Sequence, residues 1–345
     1  MRVWKSCSLL SIITFLFCGA PAKGAEFTFK IINVDFPSFH ADLFGCGAAG
    51  LNDAGVIVGG CNDRSQNSNL RAYLFDGSKF TEIRLNSTKT SSNQTPIGSS
   101  QKKLSFRPQS IYQNAPFLGG VEEMERRLRP KDPKVRNLPN PQDVNNHGNI
   151  TGSFFDGSRI RGFLKRRGTD LAVSVPGSDL TEATGINDLN QVVGDFRDSN
   201  GRFHSFVFEN GVYRSIDVPF TTIPDSGASG INNLGKTVGC YLVCSRGFLF
   251  DLRNSVFTLI DVPGAIVTQP SDINDHGNVV GIYFDGQVLR GFFYDGTGFT
   301  TIDAPGAFST IVSGINNAGE IVGSYQVQNA AGEFDNFAFI AVPQP

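Results

Sequence analysis

The chain has 345 residues, with 30 Lys+Arg against 32 Asp+Glu and a net charge of −2, so it is long enough for a real core and carries no global charge suited to a polyanion. Charged residues at 18% and hydrophobics at 40% exclude a disordered chain, while 39 glycines, 30 phenylalanines, 2 methionines and 1 tryptophan favour turns and aromatic strands over helices. The composition is that of an all-β protein.

Arg2 and Lys5 precede an apolar run from Leu9 to Phe17 and the small residues Gly19, Ala20 and Ala22. This reads as a secretory signal peptide over residues 1–22, cut after Ala20-Pro21-Ala22. The run is too short for a lasting anchor, bulky Phe17 before Cys18 disfavours a lipoprotein, and no later apolar stretch is long enough for a membrane helix. The expectation is an exported bacterial protein, secreted or periplasmic, with one domain over residues 23–345. Export leaves Cys46, Cys61, Cys240 and Cys244 in an oxidising space. Metal spacing is absent from these four, so two local disulfides are expected, Cys46–Cys61 and Cys240–Cys244. The first follows if Leu51 pairs with Val56 across a tight turn, which sets the two cysteines opposite each other.

Phe27 to Ile32 reads as a strand that belongs to no unit of its own. Beyond it the phrase Ile-Asn-Asp/Asn-x-Gly-x-x-Val-Gly recurs at Ile186–Gly194 (Asn190 for the first glycine), Ile231–Gly239, Ile273–Gly281 and Ile315–Gly323, with looser copies at Leu51–Gly59 and Val144–Gly152. The first Asn falls at 52, 145, 187, 232, 274 and 316, spacings of 93, 42, 45, 42 and 42. A period near 42 is a propeller blade's length, and each copy reads as four strands, a to d. Strand a ends in the motif, strand b follows its turn, strand c carries phrases such as Arg290–Tyr294, and strand d phrases such as Phe299–Asp303. The apolar runs do not alternate strictly, as expected of sheets buried on both faces. The last copy stops before any strand d, so Phe27–Ile32 is expected to complete it and close the ring. An offset of 129 relates both 145 to 274 and 187 to 316, which suggests a duplicated three-blade half and six four-stranded blades. The excess chain at residues 85–140 is then an insertion between the first two blades or a decayed seventh blade. Its polar stretch from Asn86 to Lys103, its basic run from Lys102 to Arg136 and prolines 130, 133, 139 and 141 favour insertion, with Val121–Arg129 the one plausible helix.

The recurrent Gly-Ile-Asn-Asp-x-Gly-x-x-Val-Gly, the triplets Arg71-Ala72-Tyr73, His204-Ser205-Phe206 and Phe337-Ala338-Phe339, and the phrase Ile-Asp-Val-Pro-Gly-Ala resemble the HAF-repeat family of extracellular bacterial repeat proteins. The resemblance covers most of the chain outside the insertion and implies an exported β-propeller-like protein. It supplies no catalytic residues, and Arg-Gly often stands here for the family's His-Ala.

Several residues are candidates for a site. Arg71, Arg161, His204, Arg246 and Arg290 open strand c in five units, and Asp156, Asp198 and Asp285 lie just before three of them. The cations would hold a carboxylate or sugar, or else close each hairpin as an ion pair, and the repeated position favours the second reading. Asp143 and Asp272 replace the glycine found at Gly185, Gly230 and Gly314, and in a six-bladed ring they face each other across the channel. Asp179, Glu182 and Asp225 are carboxylates outside the repeat, of the kind an enzyme would gather in one pocket. The repeated Asn-Asp/Asn pairs read as turn residues rather than calcium ligands, and His147 and His276 sit at the turn tips. Nothing calls for a cofactor or a metal, and no hydrolase elbow, Walker loop or HExxH suggests nucleotide, nucleic-acid or nucleophilic chemistry. The expected function is non-enzymatic binding of a ligand, an acidic glycan first, or of another extracytoplasmic protein. The alternative is a carbohydrate-active hydrolase or lyase with its site at the channel mouth. Binding is expected on the face of the b-to-c turns and the insertion, because loops on a rigid scaffold carry the variable groups.

Overall fold

In the computed structural model, residues 26–32, 43–63, 69–85, 89–90, 138–219, 221 and 225–344 are described. The signal-peptide region, most of the 85–140 insertion and its expected helix lie outside them. The described residues are all-β, with no helix.

β1 (Phe27–Ile32) precedes the first repeat unit, which comprises β2 (Leu43–Leu51), β3 (Ile57–Asp63), β4 (Asn69–Phe75) and β5 (Phe80–Glu82). After β6 (Lys89–Thr90) the second unit is β7 (Asn140–Val144), β8 (Ile150–Phe155), β9 (Ile160–Arg166) and β10 (Thr169–Val173). The third is β11 (Leu180–Ile186), β12 (Val192–Arg197), β13 (Phe203–Glu209) and β14 (Val212–Ile216), and the fourth β15 (Ser226–Ile231), β16 (Lys236–Tyr241), β17 (Arg246–Asp251) and β18 (Val256–Ile260). The fifth is β19 (Val267–Ile273), β20 (Val279–Phe284), β21 (Leu289–Tyr294) and β22 (Phe299–Ile302); the sixth holds β23 (Ser309–Ile315), β24 (Ile321–Gln328) and β25 (Phe334–Pro343). Strands pair antiparallel in sequence order within each unit. The second and third units are joined by a single parallel bridge, Leu180 to Ile160, and β6 lies parallel against β10, which brings the start of the insertion to the outer edge of the second unit.

The N-terminal segment completes the last sheet, as expected. β1 pairs antiparallel with β25, from Phe27 opposite Pro343 to Ile32 opposite Ala338, and so supplies the fourth strand of the last sheet. The core lies between neighbouring sheets rather than within one. Val58, Ala72 and Ile83 of the first unit pack with Val144, Phe154 and Phe163 of the second, and Leu51, Ile57 and Tyr73 pack with Val322, Ala338 and Ile32 of the last.

The motif letters have steric causes. A Cβ on the glycine of Val-Gly, at Gly152, Gly194, Gly239 or Gly323, would stand within 1.9–2.1 Å of a strand a carbonyl oxygen and within 3.0 Å of the strand c phenylalanine ring. Close approach of strands a, b and c therefore demands glycine there, and the Phe of each triplet fills the space over it. The middle letter of the triplet must also be small, because Cβ atoms added at Gly247 and Gly291 would meet Pro270 at 2.7 Å and Val312 at 2.4 Å in the following unit.

Every strand a carries a register shift just before its last two residues, as between Ala183 and Gly185. This bulge corrects one expectation. Leu51 pairs with Ile57, not Val56, and the shift between Ala48 and Gly50 then brings Gly47 opposite Gly60. Cys46 and Cys61 still meet, bridged with Cα atoms 4.1 Å apart, and Cys240 and Cys244 form the second disulfide. No helix of the described residues is long and apolar enough to cross a membrane.

Deletion of Phe27–Ile32 leaves the inner partner β25 with a bare edge and uncovers Phe339 and Ala338. We expect the truncated protein to aggregate or to lose roughly 10 °C or more in thermal unfolding. Unfolding superimposable on that of the full chain would contradict the pairing.

Candidate functional site

The six motif turns meet around one polar cup, lined by their Asn and Asp residues and floored by Asp143 and Asp272. The first Asn of each turn does two jobs. Its Oδ1 accepts backbone N–H groups of its own turn, as Asn52 does from Ala54 at 3.1 Å and Val56 at 3.0 Å, the local bond that makes Asn a turn residue. Its Nδ2 donates to the carbonyl of the corresponding Asn in the next unit. The chain of bonds runs Asn52 to Asn145, to Asn187, to Asn232, to Asn274, to Asn316 and from Asn316 back to Asn52, over 2.9–3.3 Å. These Asn residues are 3–6% exposed, so each bond satisfies an amide donor that water cannot reach, on a carbonyl that also accepts an N–H of its own turn.

The second letter of the motif alternates around the cup: Asp53, Asn146, Asp188, Asn233, Asp275, Asn317. Each of these Asn residues donates both Nδ2 hydrogens, one to the aspartate on either side. Asn146 reaches Asp53 and Asp188, Asn233 reaches Asp188 and Asp275, and Asn317 reaches Asp275 and Asp53, at 2.8–3.0 Å. A further six bonds run from each backbone N–H to Oδ1 of the next unit's side chain. The turn reading holds for the first residue of each pair, whose Oδ1 accepts from its own turn, while the second bonds the neighbouring units. Among the described residues no group of three or more His, Cys, Asp or Glu is placed to hold a metal.

Asp143 and Asp272 stand where the other four units have glycine. A Cβ on Gly50 would lie 2.7 Å from Asp143, and one on Gly230 would lie 2.5 Å from Oδ1 of Asp272, so the unit before each aspartate has no room for a side chain at this position. Each carboxylate joins two units: Asp143 accepts from Val144 and Ile186 N–H at 2.7 and 2.9 Å, Asp272 from Ile273 and Ile315 at 2.8 and 2.9 Å. Burial pushes the Asp143 carboxyl up to about 7, with Asp188 adding to the rise against the two N–H bonds. Burial and the nearby Asp143 together raise Asp272 well above the carboxylate range.

The strand c cations are committed within their own units. Arg71 bonds Glu82 at 2.9 Å, Arg161 bonds Asp156 and Ser174, and Arg290 bonds Asp285 and Asp303. His204 bonds Asp217 at 3.0 Å and lies 3.5 Å from Asp198, and Arg246 stands 4.0 Å from Asp261. Each ties strand c to strand d or to the b-to-c turn, which is the hairpin-closing role. For His204, burial acts downward, but Asp217 and Asp198 outweigh it and the imidazole pKa is raised.

The non-repeated carboxylates divide. Asp179 is held by Arg197 through paired bonds of 2.9 Å. Glu182 and Asp225 instead converge on Asp195, which lies directly opposite Glu182 across β11 and β12. Burial raises Glu182 to about 7 against the 3.2 Å bond from Ser153 Oγ. Burial, then Glu182 and Asp225, raise Asp195 well above its usual value, and burial raises Asp225 despite His204. Asp195 escaped the sequence reading because its column holds Gly60, Ser153, Cys240, Ile282 and Ser324, and no motif marks it. The Glu182–Asp195 pairing becomes visible only once the strand register is known.

The raised groups fix the sign of the pH dependence. Between the ordinary carboxylate range and about pH 7 the native state binds more protons at Asp143 and Glu182 than the unfolded chain, so stability falls as pH climbs through that window. The opposite holds at low pH, where the turn carboxylates Asp156, Asp198 and Asp285, all held below their usual values, lose their partners on protonation. We expect maximal thermal stability in mildly acid solution and a loss on the order of a few kcal/mol by pH 8. Asp143→Asn and Glu182→Gln should each flatten the alkaline limb; a wild-type profile that is flat from pH 5 to 8 would contradict the assignment.

No family model matches the chain, and no curated protein matches it. Solved structures similar to it include the Aleuria aurantia lectin, at 12% identity and a TM-score of 0.47 over 88% of this chain and 97% of that one. A streptogramin B lyase is 11% identical with a TM-score of 0.43 over 92% and 98%. A protein of unknown function from Dyadobacter fermentans is 9% identical with a TM-score of 0.49 over 94% and 100%. These β-propeller-like neighbours differ in function, and the likeness concerns the fold alone.

Proposed function

We propose that the chain is an exported, non-enzymatic β-propeller of six blades, closed by its N-terminal strand, that binds a ligand or partner on the face of the b-to-c turns. Residues 1–22 are its signal peptide, residues 23–345 its single domain and residues 85–140 an insertion between the first two blades, in keeping with the HAF-repeat resemblance. The blade count draws support from the alternation of Asp and Asn around the cup: a ring in which every Asn donates to two Asp closes only with an even number of members. A location outside the cytoplasm fits the two disulfides.

The observation that carries the reading is the contrast between the two faces. On the motif-turn face the polar groups are consumed by one another in repeated bonds. Toward the opposite face lie the features that do not repeat: Glu182, Asp195 and Asp225, the Cys240–Cys244 turn, and the long hairpin between β24 and β25. An acidic glycan remains the first ligand to try, although the strand c cations already hold carboxylates of their own units.

The carbohydrate-active hydrolase or lyase is favoured by one specific observation. Glu182 and Asp195 are facing carboxyls whose pKa values burial raises, Glu182 to about 7 and Asp195 well above its usual range, the direction a general acid needs. A glycan array probed with the purified mature protein, with reducing-sugar release followed in parallel, separates the two. Binding without release is expected. Release that disappears in Glu182→Gln and Asp195→Asn would replace the binding reading by the enzymatic one, and a ligand mapped to the Asn/Asp cup would overturn the face.

A further inference from the structure

The b-to-c turns of four units are built alike, around one Asx side chain. Asp156 Oδ1 accepts from Ser158 and Arg159 N–H, Asp198 from Asn200 and Arg202, Asp285 from Gln287 and Val288, and Asn329 from Ala331 and Glu333, at 2.8–3.0 Å. The fourth unit has no such residue. Its turn runs Tyr241-Leu242-Val243-Cys244-Ser245 and is held by the Cys240–Cys244 bridge instead.

Its backbone is unusual. Leu242, Val243 and Cys244 have φ of 52°, 55° and 56°, three successive side-chain-bearing residues in the left-handed region, one of them β-branched. Left-handed runs of L-residues are disfavoured at every position, and single residues, usually Gly or Asn, are the ordinary occupants. The described b-to-c turns of the other units place at most a glycine there, such as Gly157, Gly201, Gly286 or Gly332. The bridge therefore holds a conformation that the chain would leave if released, and opening it relieves a backbone cost.

Access picks out one sulfur of this bridge. Leu242 is 42% exposed and Cys244 half-buried, on the face where ligand is expected, whereas Cys240 is 6% exposed. The other bridge likewise pairs a buried cysteine, Cys61 of β3, with a partly buried one, Cys46, so the difference between the two is in the backbone: the described residues around Cys46–Cys61 are left-handed only at Gly45, which tolerates it.

We propose that Cys240–Cys244 is a labile thiol–disulfide exchange site, opened by a thiol reductant, while Cys46–Cys61 is a permanent clamp. A reductant thiolate attacks Sγ of the more accessible Cys244; the S–S bond breaks, a mixed disulfide forms at Cys244, and Cys240 leaves as a thiolate and takes a proton. A second reductant thiol attacks the mixed disulfide and releases Cys244. Two electrons pass to the protein, and two reductant thiols end as one disulfide. The released turn controls its neighbour, because the Cys244 carbonyl accepts from Gln269 Nε2 at 2.6 Å and the Ser245 carbonyl from Thr268 N–H at 3.1 Å, both at the start of β19. Reduction in the fourth unit thus loosens the entry to the fifth.

The test uses the folded, oxidised protein in a series of glutathione buffers, with differential alkylation and peptide mass spectrometry reading both bridges. We expect Cys240–Cys244 to be half reduced at a thiol excess about tenfold or more below that needed for Cys46–Cys61, with faster amide exchange at Thr268 as it opens. Val243→Asn, which places a residue tolerant of left-handed backbone in the turn, should move the equilibrium several-fold toward the disulfide. Bridges that open together, or Cys46–Cys61 opening first, would overturn the proposal, as would an equilibrium unmoved by Val243→Asn.

Discussion

One side chain, the first Asn of the motif, ties local structure to global structure. Its oxygen builds a tight turn from within the unit and its amide reaches the next unit's carbonyl, so neither bond can form correctly unless the turn and the packing of neighbouring units are both right. Buried amide bonds of this kind contribute about 1 kcal/mol each, but leaving the buried Asn amide without its acceptor in the next unit costs about 1–3 kcal/mol. Six in a cycle make the centre intolerant of any unit out of place. Much else follows from that closeness: the glycines of strand b, the small middle letter of the triplet and the bulge in strand a all accommodate strands packed at the limit of approach.

The second ring adds a selection rule. An Asn amide has two N–H donors, and an aspartate offers an acceptor to both sides, so alternation satisfies every group while keeping like charges apart. Below it, Asp143 and Asp272 occupy equivalent positions three units apart, where the neighbouring units have glycine. The paired aspartates recur every third unit, whereas the alternation recurs every second and sets Asp against Asn at positions three units apart, Asp53 with Asn233, Asn146 with Asp275 and Asp188 with Asn317.

Much of this was legible in the sequence. The period, the N-terminal strand that completes the last sheet, both disulfides and the hairpin-closing role of the strand c cations could be argued from spacing, because local turns and strand order leave regular marks. Asp195 could not, since what makes it notable is its partner across β11 and β12, and partners depend on a bulge that spacing does not reveal. The correction of Leu51 from Val56 to Ile57 has the same origin. The Asp/Asn alternation was present in the letters at 53, 146, 188, 233, 275 and 317 but was hidden by treating the two as equivalent turn residues, which they are within one unit and are not between units.

The claim on which this account rests is that alternation around the cup, rather than Asn and Asp content, holds the units together. Exchanging one neighbouring pair, Asn233→Asp with Asp275→Asn, keeps composition and charge but sets two aspartates side by side at 188 and 233 and two asparagines at 275 and 317. Exchanging all six positions restores alternation. Thermal unfolding of the two variants at mildly acid pH is the most direct measurement: the account predicts a loss of roughly 5–10 °C for the single exchange and recovery of most of it for the sixfold exchange. A single exchange that unfolds with the wild type, or a sixfold exchange no better than the single one, would contradict it.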